Sequence, residues 1–270
     1  YKSYKKCIRL MKEFQPDLVV GVGGYVTAPV ILAAHKLKIK TAIHEQNSVP
    51  GASNQFLSKY VDKIMVSFPS SMKEFPKEKT VYTGNPCSED ALKVEPIKKE
   101  EYGLSNRKKL VTIVMGSLGA SGINQFLIDS MRYFEKKEYE VAFVTGKQDY
   151  DHVMEYSFPS NVHIYPYVPL TSFMKKTDLM ISRAGASTLS EIMALHVPSI
   201  LIPSPYVPNN HQYKNAMGLV DAKAAVLLEE KELKDDILVN TIDQVLSNPI
   251  QIEMMKKNLE KMAVTDSATR

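Results

Sequence analysis

Short runs of β-branched and other apolar residues alternate with stretches of helical period along most of the chain. Asp17–Val22, Thr41–His44, Lys63–Val66 and Thr80–Thr83 read as strands, with helices at Tyr25–Leu37 and Gly51–Tyr60 between them. Tyr1–Phe14, with its tyrosines and lysines at helical spacing, reads as the middle of an element. A second series opens at Leu110–Met115 and continues through Glu140–Thr145, Asn161–Tyr165, Asp178–Ile181, Ser199–Ile202 and Ala225–Leu228. Helices are predicted at Ala120–Phe134, Leu170–Lys175, Ser187–Leu195, Asn210–Leu219, Lys231–Leu246 and Ile250–Met262. Strands separated by single helices imply α/β domains with parallel sheets covered on both faces. Asn85–Lys108 is charged, holds two prolines and lacks strong periodicity, so it reads as a linker. The expected organisation is a first domain over 1–87 that lacks its beginning, a linker over 88–107, a second domain over 108–248 and a C-terminal helix over 249–270.

Composition narrows the class. At 270 residues, with 44% hydrophobic and 24% charged residues, the chain has ample apolar mass for a core and is neither collagen-like nor disordered throughout. Two cysteines give no disulfide framework and no metal-ligand spacing, which points to a reducing compartment. The apolar stretch from Leu18 to Ala34 is broken by three glycines and Pro29 and is too short to span a bilayer. Net charge is +4, yet Tyr1–Ile64 alone holds ten Lys/Arg against four acids, so an anionic surface or ligand is expected on that side.

In open α/β sheets ligands lie beyond the carboxyl ends of the strands. Gly21-Val22-Gly23-Gly24-Tyr25 can bring backbone N–H groups to a phosphate, or simply make a tight turn. His44-Glu45-Gln46-Asn47 sets four polar side chains at a strand end, for a sugar, a diphosphate or the bracing of the loop. Met115-Gly116-Ser117-Leu118-Gly119-Ala120 repeats the strand–glycine–helix pattern. Ser182-Arg183-Ala184-Gly185-Ala186-Ser187-Thr188-Leu189-Ser190-Glu191 puts small residues at a helix start and a carboxylate one turn in. That arrangement suits a nucleoside diphosphate, with Glu191 on a ribose diol, or a cap with Ser187 at the N-cap. A proline-rich loop then delivers Asn209, Asn210, His211 and Gln212, amides that suit sugar hydroxyls. Asp149-Tyr150-Asp151 has metal-like spacing but is expected to cap a helix. Neither a metal nor a cofactor is expected.

Taken together, GVGGYVTAP (21–29), HEQNSVPG (44–51), TGNP (83–86), GSLGA (116–120), SRAGASTLSEI (182–192) and HQYKNA (211–216) closely resemble the MurG family of UDP-N-acetylglucosamine transferases. The resemblance covers almost the whole chain. It implies a GT-B fold of two Rossmann-like domains, with the acceptor on the first and the nucleotide sugar mainly on the second. Donor contacts would come from Asn47, Ser117, Val168, Ala186, Ser187, Thr188, Glu191 and Gln212, with the Val168 backbone reading uracil. Gly23, Gly24, Tyr25, His44 and Glu45 would lie on the acceptor side. His211 stands where the family often has another Gln, and Ser88 where many members have an Arg.

The implied reaction moves N-acetylglucosamine from UDP-N-acetylglucosamine to the C4 hydroxyl of undecaprenyl-pyrophosphoryl-MurNAc-pentapeptide, with inversion. The family's opening strand–helix units, roughly 80–90 residues at ~30 per βαβ step, would precede Tyr1 together with the candidate base. The chain is therefore expected to be shortened and impaired, and His44, the nearest substitute, is not assigned the role. Tyr1, Tyr4, Lys5, Lys59 and Lys63 would form a patch for anionic inner-leaflet lipid, placing the protein peripherally on the cytoplasmic face of the plasma membrane. Nucleic acid is not an expected partner. The alternatives are a GT-B UDP-N-acetylglucosamine 2-epimerase and a non-catalytic UDP-sugar-binding fragment.

Overall fold

The computed structural model describes residues 2–116 and 121–270. The chain divides into two compact units. The first comprises residues 1–86 together with the returning segment Val264–Arg270, and the second is Cys87–Ala263.

The first unit runs α1 (Lys2–Phe14), β1 (Leu18–Gly21), α2 (Thr27–Lys36), β2 (Lys40–Glu45), α3 (Ala52–Leu57), β3 (Lys63–Val66) and β4 (Thr80–Tyr82). Its four strands pair in parallel in sequence order, with Leu18 opposite Lys40 and Ile43 opposite Ile64. The core gathers Ile31, Ile43, Leu57, Ile64 and Val66. α1 turns Tyr4, Cys7, Ile8 and Met11 onto Ala33 and Ala34 of α2. Its lysines face out, as the helical period of the sequence dictates. β1 is an edge strand, and its Leu18 and Val20 are about half exposed.

The second unit runs α4 (Cys87–Lys93), β5 (Leu110–Val114), α5 (Ser121–Ser130), β6 (Glu140–Val144), α6 (Tyr150–Val153), β7 (Val162–Tyr165), α7 (Leu170–Met174), β8 (Leu179–Ser182), α8 (Ala186–Leu195), β9 (Ser199–Leu201), α9 (His211–Asp221), β10 (Val226–Leu227), α10 (Ile237–Leu246) and α11 (Pro249–Met262). Six parallel strands lie in the order β10-β9-β8-β5-β6-β7. β5, β6 and β8 are buried at every position, which is why they read as unbroken apolar runs rather than alternating ones. The strand order reverses beside β5, whose residues pair with β6 on one side and β8 on the other.

Two expectations change. The segment read as a linker is part of the second unit: it forms α4, which packs along α8 with Ser88 and Ala91 buried. A helix this short has little stability of its own, so packing rather than periodicity makes it. The long helix expected over Lys231–Leu246 is broken, because Asp235 sits at φ +49° and helix resumes only at Ile237.

Candidate functional site

The carboxyl ends of β5, β6 and β8 open into a cavity of about 320 Å³. Val114, Val144 and Ser182 form its floor; Gly116, Gly146, Val168, Gly185, Thr188 and Gln212 line its sides. This is the crevice that a strand-order reversal creates in a doubly wound sheet. Gly116, at φ +129°, turns the chain out of β5 in a conformation closed to residues with a side chain.

α8 enters this cavity by its N-terminus. Its N-cap is Gly185, and among the described residues no side chain caps the helix. Ser187, expected at the N-cap, lies inside the first turn, and Ser190 Oγ donates 2.9 Å back to the Ala186 carbonyl. The cap reading is therefore wrong: the opening N–H groups of α8 and the positive end of its dipole are left without a side-chain acceptor. Ser182 Oγ is buried and unpartnered among the described residues, while Arg183 is tied to Glu230 at 2.6 Å and to the Ile202 carbonyl at 3.1 Å. Gln212 is partly committed, its Oε1 accepting from Ser204 N at 2.9 Å.

Glu191 lies one turn beyond Thr188 and does not line the cavity itself. Its carboxyl is half-buried, and it makes no hydrogen bond or ion pair among the described residues. Burial raises its pKa above the usual carboxylate range. The neighbouring Cys87 thiol, also half-buried and facing the Glu191 charge, is pushed up to about 12 and donates 3.5 Å to the Ser187 carbonyl.

The corresponding loop of the first unit is closed on itself. Glu45, 2% exposed, accepts from Asn47 N at 3.0 Å and Asn47 Nδ2 at 3.3 Å through Oε1. Its Oε2 accepts from Gly51 N at 3.0 Å and Asn54 Nδ2 at 2.8 Å. His44 is 8% exposed, with Nε2 at 2.9 Å from Ser67 Oγ and 3.1 Å from the Gly84 carbonyl. Burial lowers its pKa, against the opposing pull of the Gly84 hydrogen bond. Both side chains brace the loop, the alternative that the sequence left open for them. Gly23, Gly24 and Tyr25 do face outward at the β1–α2 turn, Tyr25 with 89% exposure.

The glycosyltransferase family 28 C-terminal domain matches residues 110–270, and the family 28 N-terminal domain matches residues 1–66. A UDP-N-acetylglucosamine–N-acetylmuramyl-(pentapeptide) pyrophosphoryl-undecaprenol N-acetylglucosamine transferase of Bacillus cytotoxicus is 46% identical, over 100% of this chain and 76% of that protein. This chain belongs to the MurG family. The crystal structure of MurG from Acinetobacter baumannii matches with a TM-score of 0.79 at 27% identity, over 99% of this chain and 75% of that one. A UDP-GlcNAc 2-epimerase from Neisseria meningitidis, bound to UDP-GlcNAc, matches with a TM-score of 0.71 at 17% identity, over 99% and 78%; that likeness shows the fold alone. The fold is GT-B, an α/β class with parallel sheets.

Within this MurG-family chain the second-unit residues named from sequence do gather. Val168 and Thr188 line the cavity with Gln212, while Ala186 is buried beside them and Ser187 is exposed. Ser117 and Tyr1 lie outside the described residues. Asn47 turns its amide onto Glu45. Tyr4 packs into the α1–α2 core rather than outward, so it leaves the lipid patch; Lys5, Lys59 and Lys63 remain exposed. His211 Nδ1 lies 2.9 Å from the Pro208 carbonyl, and Ser88 is buried in α4. Asp149 does not cap α6; its carboxylate accepts from Asn124 Nδ2. Sequence reasoning quoted Ser182 within its motif without a role and missed Tyr167, which is 65% exposed at the cavity with Lys147 Nζ 5.7 Å from its ring centroid. Their positions at and after strand ends were the available signal. Among the described residues no group of His, Cys, Asp and Glu is placed to hold a metal, and no helix is long and apolar enough to cross a membrane.

Proposed function

We propose that this chain transfers N-acetylglucosamine from UDP-N-acetylglucosamine to the C4 hydroxyl of lipid-linked N-acetylmuramyl-pentapeptide, with inversion, in peptidoglycan synthesis. The observation that carries the reading is the pairing of an uncapped α8 N-terminus with Glu191, a half-buried carboxylate that has no partner among the described residues. A desolvated anion is costly unless something donates to it, and a vicinal ribose diol supplies two donors to its two oxygens. The free N–H groups of α8 suit the diphosphate, stabilising the charge that develops on the UDP leaving group without a metal.

The backbone of Val168 then reads uracil, Thr188 and the groups at the start of α8 hold the phosphates, and Gln212 meets the sugar hydroxyls. The acceptor hydroxyl must lose its proton to a base. His44 does not take that role, because its imidazole is buried against Ser67 and Gly84. The lipid-linked acceptor places the protein peripherally on the cytoplasmic face of the plasma membrane, where exposed Lys5, Lys59 and Lys63 face anionic lipid.

Calorimetric titration with UDP-N-acetylglucosamine, UDP-glucose and the Glu191→Ala variant tests the donor site. The expected result is binding that prefers the N-acetyl sugar and weakens about tenfold or more in the variant, the scale of a hydrogen bond to a charged group. Folded protein that binds neither sugar, or a variant that binds as well as the parent, refutes it.

A further inference from the structure

The amino ends of the second unit's strands, on the opposite edge of the sheet from the donor cavity, carry a concentration of cations that the transfer reaction does not use. Two hollows, of about 500 Å³ and 440 Å³, share the stretch Arg107, Lys108 and Lys109 that leads into β5. The larger adds Lys136 and Lys137 from the turn before β6; the smaller adds Lys175 and Lys176 from the turn before β8.

Some of these cations are already held. Lys109 Nζ donates 3.1 Å to the Leu246 carbonyl, Lys175 Nζ donates 2.9 Å to the Leu92 carbonyl, and Lys137 Nζ lies 2.6 Å from Asp243 Oδ2. Asp243 is fully engaged, since its Oδ1 accepts from Tyr139 OH at 2.9 Å. Asp178, the acid in the smaller hollow, is turned to the Leu110 N–H at 2.8 Å. The side chains of Arg107, Lys108, Lys136 and Lys176 are exposed and have no acidic partner among the described residues. Glu138 is the one further acid lining either hollow.

We propose that this basal surface is a second anion site of the chain, and that its ligand carries phosphate groups. A surface on which the cations outnumber the acids, with Asp243 paired to Lys137 and Asp178 turned to a backbone N–H, is complementary to a compact, multiply charged anion. Arg107 supplies the fork that meets phosphate oxygens pairwise, and the lysines supply point charges around it. The phosphate can come from a soluble di- or triphosphate or from the headgroups of an anionic lipid surface. The inference does not depend on the donor reading, because its residues and the donor cavity's residues do not overlap.

The test titrates inorganic tripolyphosphate into the whole chain, and separately measures flotation with vesicles of phosphatidylglycerol in phosphatidylcholine and of phosphatidylcholine alone. The triple variant Arg107→Glu, Lys108→Glu, Lys136→Glu is compared with Lys256→Glu, Lys257→Glu, Lys261→Glu on α11, exposed lysines outside both hollows, which changes net charge equally. Heat of UDP-N-acetylglucosamine binding and the thermal transition show that each variant is folded. The expected result is saturable binding that the basal variant weakens about tenfold or more and the α11 variant leaves nearly unchanged. Binding of tripolyphosphate identifies a soluble phosphate; binding only to phosphatidylglycerol vesicles identifies headgroups. No binding in either arm, or loss to the same extent in both variants, overturns the site.

Discussion

The loop after β2 and the loop after β8 look alike in sequence: each places a carboxylate and several small or polar residues at the end of a buried parallel strand. In the structure they differ in where their polar atoms go. The side-chain hydrogen bonds of Glu45 end within its own loop and α3, whereas the Glu191 carboxyl and Ser182 Oγ have no partner among the described residues. A buried carboxylate satisfied from within supports the fold; one left without donors costs stability that a ligand can restore by donating to it. That contrast, rather than residue type, separates bracing from binding.

The contrast breaks most visibly through Glu45. Replacing it by alanine removes the carboxylate that accepts from Asn47, Gly51 and buried Asn54, a loss of about 3 kcal/mol on the scale of hydrogen bonds to a charged group. Thermal unfolding should show the first unit melting early while titration with UDP-N-acetylglucosamine is unaffected in the second. A Glu45→Ala protein of parental stability would mean that the loop is not braced as described.

Glu191→Gln should do the reverse. Without an ionised carboxylate to desolvate, the ligand-free chain gains stability, while donor affinity falls severalfold because a neutral amide accepts more weakly than a carboxylate. Stability and affinity falling together in that variant would assign Glu191 to the fold instead.

The smallest effect is in pH, and the two residues should act with opposite sign. The native pKa of His44 is lowered below its ordinary value of 6.5, so the unfolded chain binds the proton more readily. Its contribution is present above pH 6.5 and is lost as pH falls through the lowered native value. Glu191 is raised above 4.5, so its contribution is present below pH 4.5 and is lost as pH rises through the raised native value. Scanning the unfolding temperature of the two units from pH 7.5 to 5 should show the first weakening with acid more steeply than the second, and His44→Gln should flatten the first curve. Parallel slopes in the parent protein would contradict the burial argument for both residues.

Much of this was legible from residue order. Strands such as Leu110–Val114 and Leu179–Ser182 announce themselves because both faces are buried, leaving no polar position to confuse the period. The loops that line the cavity follow strand ends, where the topology of an open α/β sheet puts a crevice. α4 was not legible, because its few apolar positions matter only against α8. Nor was the commitment of Glu45 and His44: Asn54, Ser67 and Gly84 come from separate stretches, and only the folded sheet brings them together. Tyr4 misled for a simpler reason, since a tyrosine at helical spacing fits a core as well as a bilayer.

The return of Val264–Arg270 to the first unit also bears on how the protein is made. Gly84, held at φ +73°, lies so close to Val264 that an added Cβ would sit 2.6 Å from that side chain. The first unit is thus assembled from two stretches of chain separated by the entire second unit, and joining them closes a very long loop. On the ribosome, most of the first unit emerges early but must wait, its seat beside Gly84 unfilled, until the second unit and the tail behind it have been synthesised. The first unit is thus begun before the second and completed after it.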